Sequence, residues 1–543
     1  MARTPVAIAW FRRDLRLDDN AALLAALAAA TPAGQVVPLF VRDPAILASG
    51  QVGRHRGERL DAAIAALDLE LRARGGRLVI RTGPPDEALP ALVRETGARE
   101  VHASRDCTPY ARRRDRAVAA ALGPGVPLRL HAGTLLVEPE SIGERRVFTP
   151  FHRAWLAALG RPWGPADQAG RVLPGDPVGR AAPTGASDAV GIVDVPAVRA
   201  PLRAPERVLV PSSVASEPAP GIASRGEAAA RELLAAFAGR ADGYARERDL
   251  LDGGAGSGLS ADLHLGTISP RRVLEAVTEP SFVRQLAWRD WAAHRAWFEP
   301  EALGRGVPSP DGAVPAPRRG GSTRGPGVPA PGREPFGGRD ARRGHDPGWS
   351  HDPGRRHEPA WSHDPAWSHD PERLAAWAEG RTGYPAVDAA MRQLAETGWI
   401  SNRARMVAAS FLAKDLLLDW RLGLDWFERT LVDADVASNA LNWRWVAGVG
   451  PDASPWFRIM NPALQGERFD PRGAWVRRWV PELRAVPDAF AHRPWDAPAG
   501  PPHAYPPRIV DHVQARARAL ALGRPRGDGA REPGPFRPSG RPW

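Results

Sequence analysis

The 543-residue chain is predicted to fold in two parts, an α/β domain built on a parallel sheet followed by an all-α domain. Three observations predict this. Short continuous apolar runs alternate with helical patterns in the first quarter of the chain. Later, Val387, Met391 and Leu394, then Met406, Ala409, Leu412 and Leu416, recur at helical spacing, which reads as two amphipathic helices. Stretches rich in Pro, Gly, Ala or Arg, without periodicity, interrupt the pattern between and within the two parts.

The apolar runs are 6–11, Val36 to Val41, Leu78 to Ile80, Val101 to Ala103 and Leu128 to Leu130. Between them lie helical repeats such as Leu60, Ile64, Leu67 and Leu71. Strands apolar on both sides, alternating with helices, suit a parallel sheet covered on both faces. No G-x-G-x-x-G follows the first strand, so an ordinary NAD site is not expected. Arg12, Arg13 and Arg16, taken alone, fit a solvated loop as readily as a site. The α/β domain is placed at 1–160 and an interdomain linker at 161–224. Helical pattern resumes after Gly226 with Ala230, Leu233, Leu234 and Phe237. The helical domain then takes 225–303 and 367–520, split by a low-complexity insertion at 304–366. There WSHDP recurs at Trp349, Trp361 and Trp367, which reads as duplicated sequence rather than a metal site. Residues 524–543 are expected to form a disordered basic tail.

Composition bounds the partners. The formal charge is +11 and the pI about 10.8, which favours a polyanion. Nearly all the basic residues are arginine, with Lys414 the sole lysine, so GC-rich coding accounts for part of that signal. Cys107 is the only cysteine, which excludes an intramolecular disulfide or a cysteine metal cluster. No signal-peptide pattern and no apolar run of about 18 residues is present, so a soluble cytoplasmic protein is expected.

The stretch from Gly380 to Pro462 is denser in carboxylates, amides, arginines and indoles than a helical core needs. It carries Gly383-Tyr384-Pro385, Asp388-Ala389-Ala390-Met391-Arg392, Gly398-Trp399, Asn402-Arg403-Ala404-Arg405-Met406, Asp433-Ala434-Asp435, Asn439, Trp443-Arg444-Trp445 and Phe457-Arg458-Ile459-Met460-Asn461-Pro462. This series closely resembles the FAD-binding domain of the photolyase/cryptochrome family, and is most like that of its class I cyclobutane pyrimidine dimer photolyases. Trp10 to Arg16 with Asp19-Asn20 resembles the opening of the family's N-terminal domain. Interrupted, the resemblance covers roughly residues 5–160 and 225–520.

The resemblance implies FAD as cofactor, UV-damaged DNA as partner, and a monomer without membrane contact. It implies that Tyr244, Ser257, Gly258, Leu259 and Ser260 wrap the flavin pyrophosphate, where hydroxyls and backbone N–H groups suit phosphate oxygens. Gly256 stands where the family often has Thr, which removes one hydroxyl. Phe282 and Gln285 line the flavin cavity. Asn402, Arg405, Asp433, Asp435 and Asn439 surround the ring and ribityl chain, with Asn439 at the flavin N5, and Arg405 is expected to pair with Asp415 beneath the ring. Trp443, Trp420 and Trp367 match the electron relay, with Trp361 as an alternative terminus. Arg248, Gln285, Trp288, Arg289, Asn402, Arg403, Met406, Trp445 and Gln465 match the DNA-contacting set, with Trp288 and Trp445 as stacking platforms. Many dimer photolyases carry Glu where Gln285 stands. The (6-4) photolyases carry histidines where Asn402 and Met406 stand. An antenna chromophore is implied for the N-terminal domain. Tyr110 and Ala111 replace the amide and carboxylate of folate-type members, which favours a deazaflavin over folate.

The expected function is light-driven, FAD-dependent repair of cyclobutane pyrimidine dimers. A cryptochrome-like blue-light photoreceptor without repair is the first rival. A DNA-binding protein without flavin is the second, and the Asp433 to Asn439 cluster argues against it.

Overall fold

The structure is a computed structural model and describes residues 5–30, 34–47, 49, 52–160, 226–303, 367–449 and 457–522. The linker at 161–224, the insertion at 304–366 with Trp349 and Trp361, and the tail at 524–543 lie outside the described residues.

Five parallel strands form one sheet: β1 (Val6–Phe11), β2 (Gln35–Arg42), β3 (Val79–Thr82), β4 (Glu100–Ser104) and β5 (Leu128–His131). Their order is β3-β2-β1-β4-β5. Ile8 pairs in register with Val37 on one side and Val101 on the other. Both faces are buried, which is why the strands read as unbroken apolar runs. Ala7, Ala9 and Phe11 pack towards α1 (Ala21–Ala30) and α2 (Arg54–Arg72), while Ile8 and Trp10 pack towards α3 (Pro85–Thr96) and α4 (Pro109–Leu122).

The remaining described chain is helical. Helix α5 (Phe148–Ala158) buries Phe148, Phe151 and Trp155 against α6 (Glu227–Ala238) and α8 (Pro280–Phe298), with α7 (Ser260–Leu265) between these two in sequence. The last helix of the N-terminal part is therefore packed in the helical core. A second core gathers α9 (Pro385–Thr397), α10 (Asn402–Ser410), α11 (Trp420–Thr430), α12 (Val436–Ala447) and α13 (His512–Leu522). Helix α9 starts with Pro385 at its first position and stops at Gly398 with φ 70°, where a left-handed residue closes the last turn. The helix read through Leu416 instead ends at Ser410 and passes into a π-turn, Phe411–Asp415.

The three arginines after β1 are not a solvated loop. Arg12 and Arg16 are buried. Arg12 donates to Asp115 and to the Ser104 carbonyl. Arg16 donates to the carbonyls of Asp18, Asp19, Gly133 and Gly266. Short-range charge pattern misses this because the acceptors lie up to 250 residues away. The fit is close: a Cβ on Gly266 would sit 2.0 Å from the Arg13 carbonyl oxygen.

Candidate functional site

The site gathers where α10, α11 and α12 meet the loop before α7 and the loop after β1. Each helix is positioned by a side-chain cap. Ser401 caps α10, Asp419 caps α11 and Asp435 caps α12, the last accepting from Ser438 N at 2.9 Å. Such caps contribute about 1 kcal/mol each. Asp435 has a second role, because its other oxygen accepts from Arg13 at 2.6 Å across the domain boundary, with His264 nearby at 3.9 Å. Burial alone would raise its pKa. Arg13 and His264 outweigh burial and hold it well below the usual carboxylate range.

Asp433, two residues earlier, accepts both contacts of Arg405 Nη2, at 3.1 and 2.9 Å. Burial again opposes ionisation, and Arg405 together with the Ser260 hydroxyl lowers the pKa below its ordinary value. Ser260 thus ties the loop before α7 to Asp433. The expected Arg405–Asp415 pair is not formed. Asp415 ends the π-turn and is carried to the side facing α13, where it bonds His512 Nδ1 at 2.5 Å. Asn439, buried on α12, donates its amide to the Leu424 carbonyl at 3.2 Å and to Glu428 Oε2 at 2.9 Å.

Around this centre, Tyr244 packs edge-on against Phe237 and Phe282, and burial pushes its phenol pKa up. Ser257 Oγ accepts from Leu259 N at 3.3 Å, and Gly258 between them has φ 70°, a conformation that glycine adopts without strain. Gln285 Nε2 turns back to the Ser281 carbonyl at 3.3 Å.

A rim surrounds the centre. Arg403 pairs with Asp249 at 2.8 Å, donates to Gln465 at 3.3 Å and lies over the Phe469 ring at 4.5 Å. Arg248 flanks the same Asp249 at 4.0 Å. Asn402 is exposed, with its amide 3.6 Å from the sulfur of half-buried Met406. Trp288 and Trp445 are both half-buried. Trp288 is backed by Phe148, stacked at 3.9 Å and 9°, and meets Trp291 edge-on at 5.1 Å. Arg289 departs from its expected place on this rim. It follows Trp288 by one residue on α8 and so turns inward, donating to the Leu263 carbonyl at 3.1 Å. With Arg13, Asp106, Cys107 and Asp435 it lines a cavity of about 30 Å³. Burial lowers its pKa from the ordinary value.

Trp443 and Trp420 are buried, and Trp367 is half-buried. Trp443 meets Phe427 at 5.1 Å and Trp377 at 6.3 Å, both edge-on. A Cβ on Gly423 would lie 2.1 Å from the Trp443 ring, so the absence of a side chain there gives the indole its seat. Ser368 bridges Leu418 and brings Trp367 alongside the segment that leads into Trp420. Sequence reasoning missed Glu428, Arg56, Phe148 and Trp377. A Glu on the buried face of an otherwise amphipathic α11 was the available signal for the first.

A separate cavity of about 310 Å³ lies beyond the carboxyl ends of β2 and β3, lined by Asp43, Pro84, Asp86, Tyr110, Arg113 and Arg114. Crevices at this end of a parallel sheet are common ligand sites. Tyr110 donates its hydroxyl to Asp43, and burial with that carboxylate raises the phenol pKa.

Comparison with known proteins follows the same division. Residues 7–168 match the family described as DNA photolyase, and residues 346–524 match the FAD binding domain of DNA photolyase. A deoxyribodipyrimidine photo-lyase of Streptomyces griseus is 37% identical over 541 residues, covering 94% of this chain and 98% of the relative. The crystal structure of a class III photolyase from Agrobacterium tumefaciens superposes with a TM-score of 0.72 at 34% identity, covering 96% of this chain and 97% of the other. An archaeal photolyase from Sulfolobus tokodaii, solved with two FAD molecules, gives a TM-score of 0.67 at 25% identity, with 95% and 99% coverage. The class I expectation is not carried forward, since a class III enzyme is among these relatives.

Proposed function

The chain belongs to the DNA photolyase family, and from that premise we propose that it is a light-driven, FAD-dependent enzyme that reverses cyclobutane pyrimidine dimers in DNA. The observation that carries the reading is the constellation of Asp433, Asp435 and Asn439, joined through Ser260 to the Ser257–Ser260 loop. This donor set fits FAD. Hydroxyls and backbone N–H groups in the loop suit a pyrophosphate, and the carboxylates and amide suit the polar edge of the ring and the ribityl chain. When bound, FAD supplies one-electron chemistry driven by light.

The protein's own residues do the rest. Arg405 keeps Asp433 ionised as an acceptor, and Arg13 does the same for Asp435. A lesion in a duplex must leave the stack to reach an interior site, as photolyase substrates do. Trp288, stiffened by the Phe148 stack, and Trp445 offer faces to the extruded bases, with Met406 and Asn402 beside them. Arg248, Arg403 and Gln465 face the phosphates. Arg289 is left out of this set, since its guanidinium is turned inward. Trp443, Trp420 and Trp367 form the relay that recharges the cofactor. Asn402 and Met406, in place of histidines, favour the cyclobutane dimer over the (6-4) product.

The cavity beyond β2 and β3 is the seat we assign to an antenna chromophore. Tyr110 and Ala111 favour a deazaflavin there over folate, and the second FAD of the Sulfolobus protein is the other precedent.

A specific observation favours a second reading, a blue-light photoreceptor without repair. Gln285 carries no charge and spends its amide on Ser281.

Purified protein should hold about one FAD per chain and reverse cyclobutane dimers in irradiated oligonucleotides only in light. Protein that cannot be reconstituted with FAD would sink both readings. Bound FAD without light-dependent reversal would select the photoreceptor. Trp443→Phe should abolish or greatly slow photoreduction while chemically reduced enzyme still repairs.

A further inference from the structure

We propose that Glu428, steadied by Arg56 from the N-terminal domain, is the positioning residue that fixes which end of the Asn439 amide faces the flavin. The inference rests on the reading above that Asn439 meets the flavin N5.

An amide carries two donor hydrogens on one side and an acceptor oxygen on the other. In Asn439 both donors have partners. One goes to the Leu424 carbonyl at 3.2 Å and the other to Glu428 Oε2 at 2.9 Å. The Asn439 oxygen takes no hydrogen bond from the described residues. A flipped amide would point its oxygen at a carbonyl and a carboxylate, two acceptors with no hydrogen to share. The backbone carbonyl alone would fix one hydrogen. The carboxylate removes the alternative, because an ionised Glu only accepts.

Glu428 is buried at 2% exposure, so its charge needs a partner. Arg56 Nη1 lies 3.4 Å from Glu428 Oε1. The same guanidinium is anchored by the carbonyls of Ala434 at 2.8 Å and Glu428 at 3.0 Å. Arg56 sits in the first turn of α2, whose cap residue Gly53 is so close to α11 that a Cβ there would lie 1.6 Å from the Arg429 carbonyl oxygen. The first domain therefore grips the last turn of α11 and presents Glu428 to Asn439 at a fixed height. Locked this way, Asn439 offers only an acceptor. An acceptor favours a flavin with hydrogen on N5 over one with a bare lone pair there, that is, reduced over oxidised FAD. Glu428 thus sets a redox preference without touching the cofactor.

The test is the midpoint potential of bound FAD, read by spectroelectrochemistry with FAD affinity and melting temperature alongside. Wild type is compared with Asn439→Ala, Glu428→Gln, and the double variant Arg56→Met/Glu428→Met, which removes both charges together. Asn439→Ala and the double variant should each lower the affinity ratio of reduced to oxidised FAD by about tenfold, about 30 mV for this two-electron couple. Glu428→Gln, whose amide can turn either end to Asn439, should move the potential part of the way in the same direction with its melting temperature kept. A shift in Asn439→Ala with wild-type potentials in both Glu428 variants would overturn the proposal. An unchanged potential in Asn439→Ala itself would instead remove the placement of Asn439 at N5. If the double variant does not retain FAD, Glu428→Gln decides alone, and a wild-type potential there overturns the proposal.

Discussion

Two buried carboxylate clusters in the helical half look alike in composition and differ in how they are closed. At the foot of α9, Asp388 accepts from Thr382 N and Oγ1 at 2.7 and 2.6 Å, from Gly383 N at 3.0 Å and from Tyr505 Oη at 2.7 Å. Every contact comes from the protein, and the cluster pins a turn to the chain near residue 505. At the head of α12, Asp433, Asp435 and Asn439 are bound from behind by Arg405, Arg13 and Glu428, while the Asn439 oxygen takes nothing from the described residues. A satisfied back with an unspent front marks a place built for a ligand. A carboxylate satisfied all round marks a fastening.

The comparison breaks most visibly at the fastening. Asp388→Ala strands four donors, at about 1–3 kcal/mol each before relaxation, so a stability loss of about 4 kcal/mol or more is expected in urea titration. If Asp388→Ala destabilises no more than Asp433→Ala, the distinction between the clusters falls.

Lys414 gives the next effect. It is fully buried in the π-turn, and burial pushes its ammonium down to about 7. Between about pH 7 and the ordinary lysine value of about 10.4, the unfolded chain binds more protons than the folded one, so stability rises with pH across that window. The slope is at most about 1.4 kcal/mol per pH unit. Lys414→Met should therefore stabilise most at pH 7 and below, with the advantage shrinking towards pH 10. An advantage independent of pH would mean that burial does not lower the pKa of the amine.

At the front of the site, Trp288→Ala should weaken lesion binding by about 1–3 kcal/mol, the scale of one stacked base, and leave undamaged DNA nearly unaffected. Equal losses on both would place Trp288 in the core and not at the lesion. The smallest effect separates rim from interior. Arg403→Met should reduce the slope of log affinity against log salt by about one, while Arg289→Met leaves that slope unchanged. Equal slopes for the two would contradict the inward placement of Arg289.

What could be read from sequence follows the range of each interaction. Strands at 6–11 and 101–103 and the helix carrying Val387 to Leu394 were legible because burial repeats along a short stretch. Asp433, Asp435 and Asn439 were legible as a cluster because a cap and one helical turn bring them together. The partner of Arg405 was misread because a π-turn shifts Asp415 out of helical register. Arg56 and Glu428 were invisible, since 372 residues separate them and neither sits in a repeating pattern. Arg289 was misplaced because one residue along a helix turns a side chain through about 100°.

Arg13, Arg56 and Arg59 all leave the first domain to meet carboxylates of the second, at Asp435, Glu428 and Asp262. The two halves are therefore not interchangeable parts. A chimera that joined this helical half to a foreign sheet domain would bring three acidic side chains to the seam without their counter-charges, however well the backbones matched. Each half therefore carries charges whose counter-charges only the other half supplies.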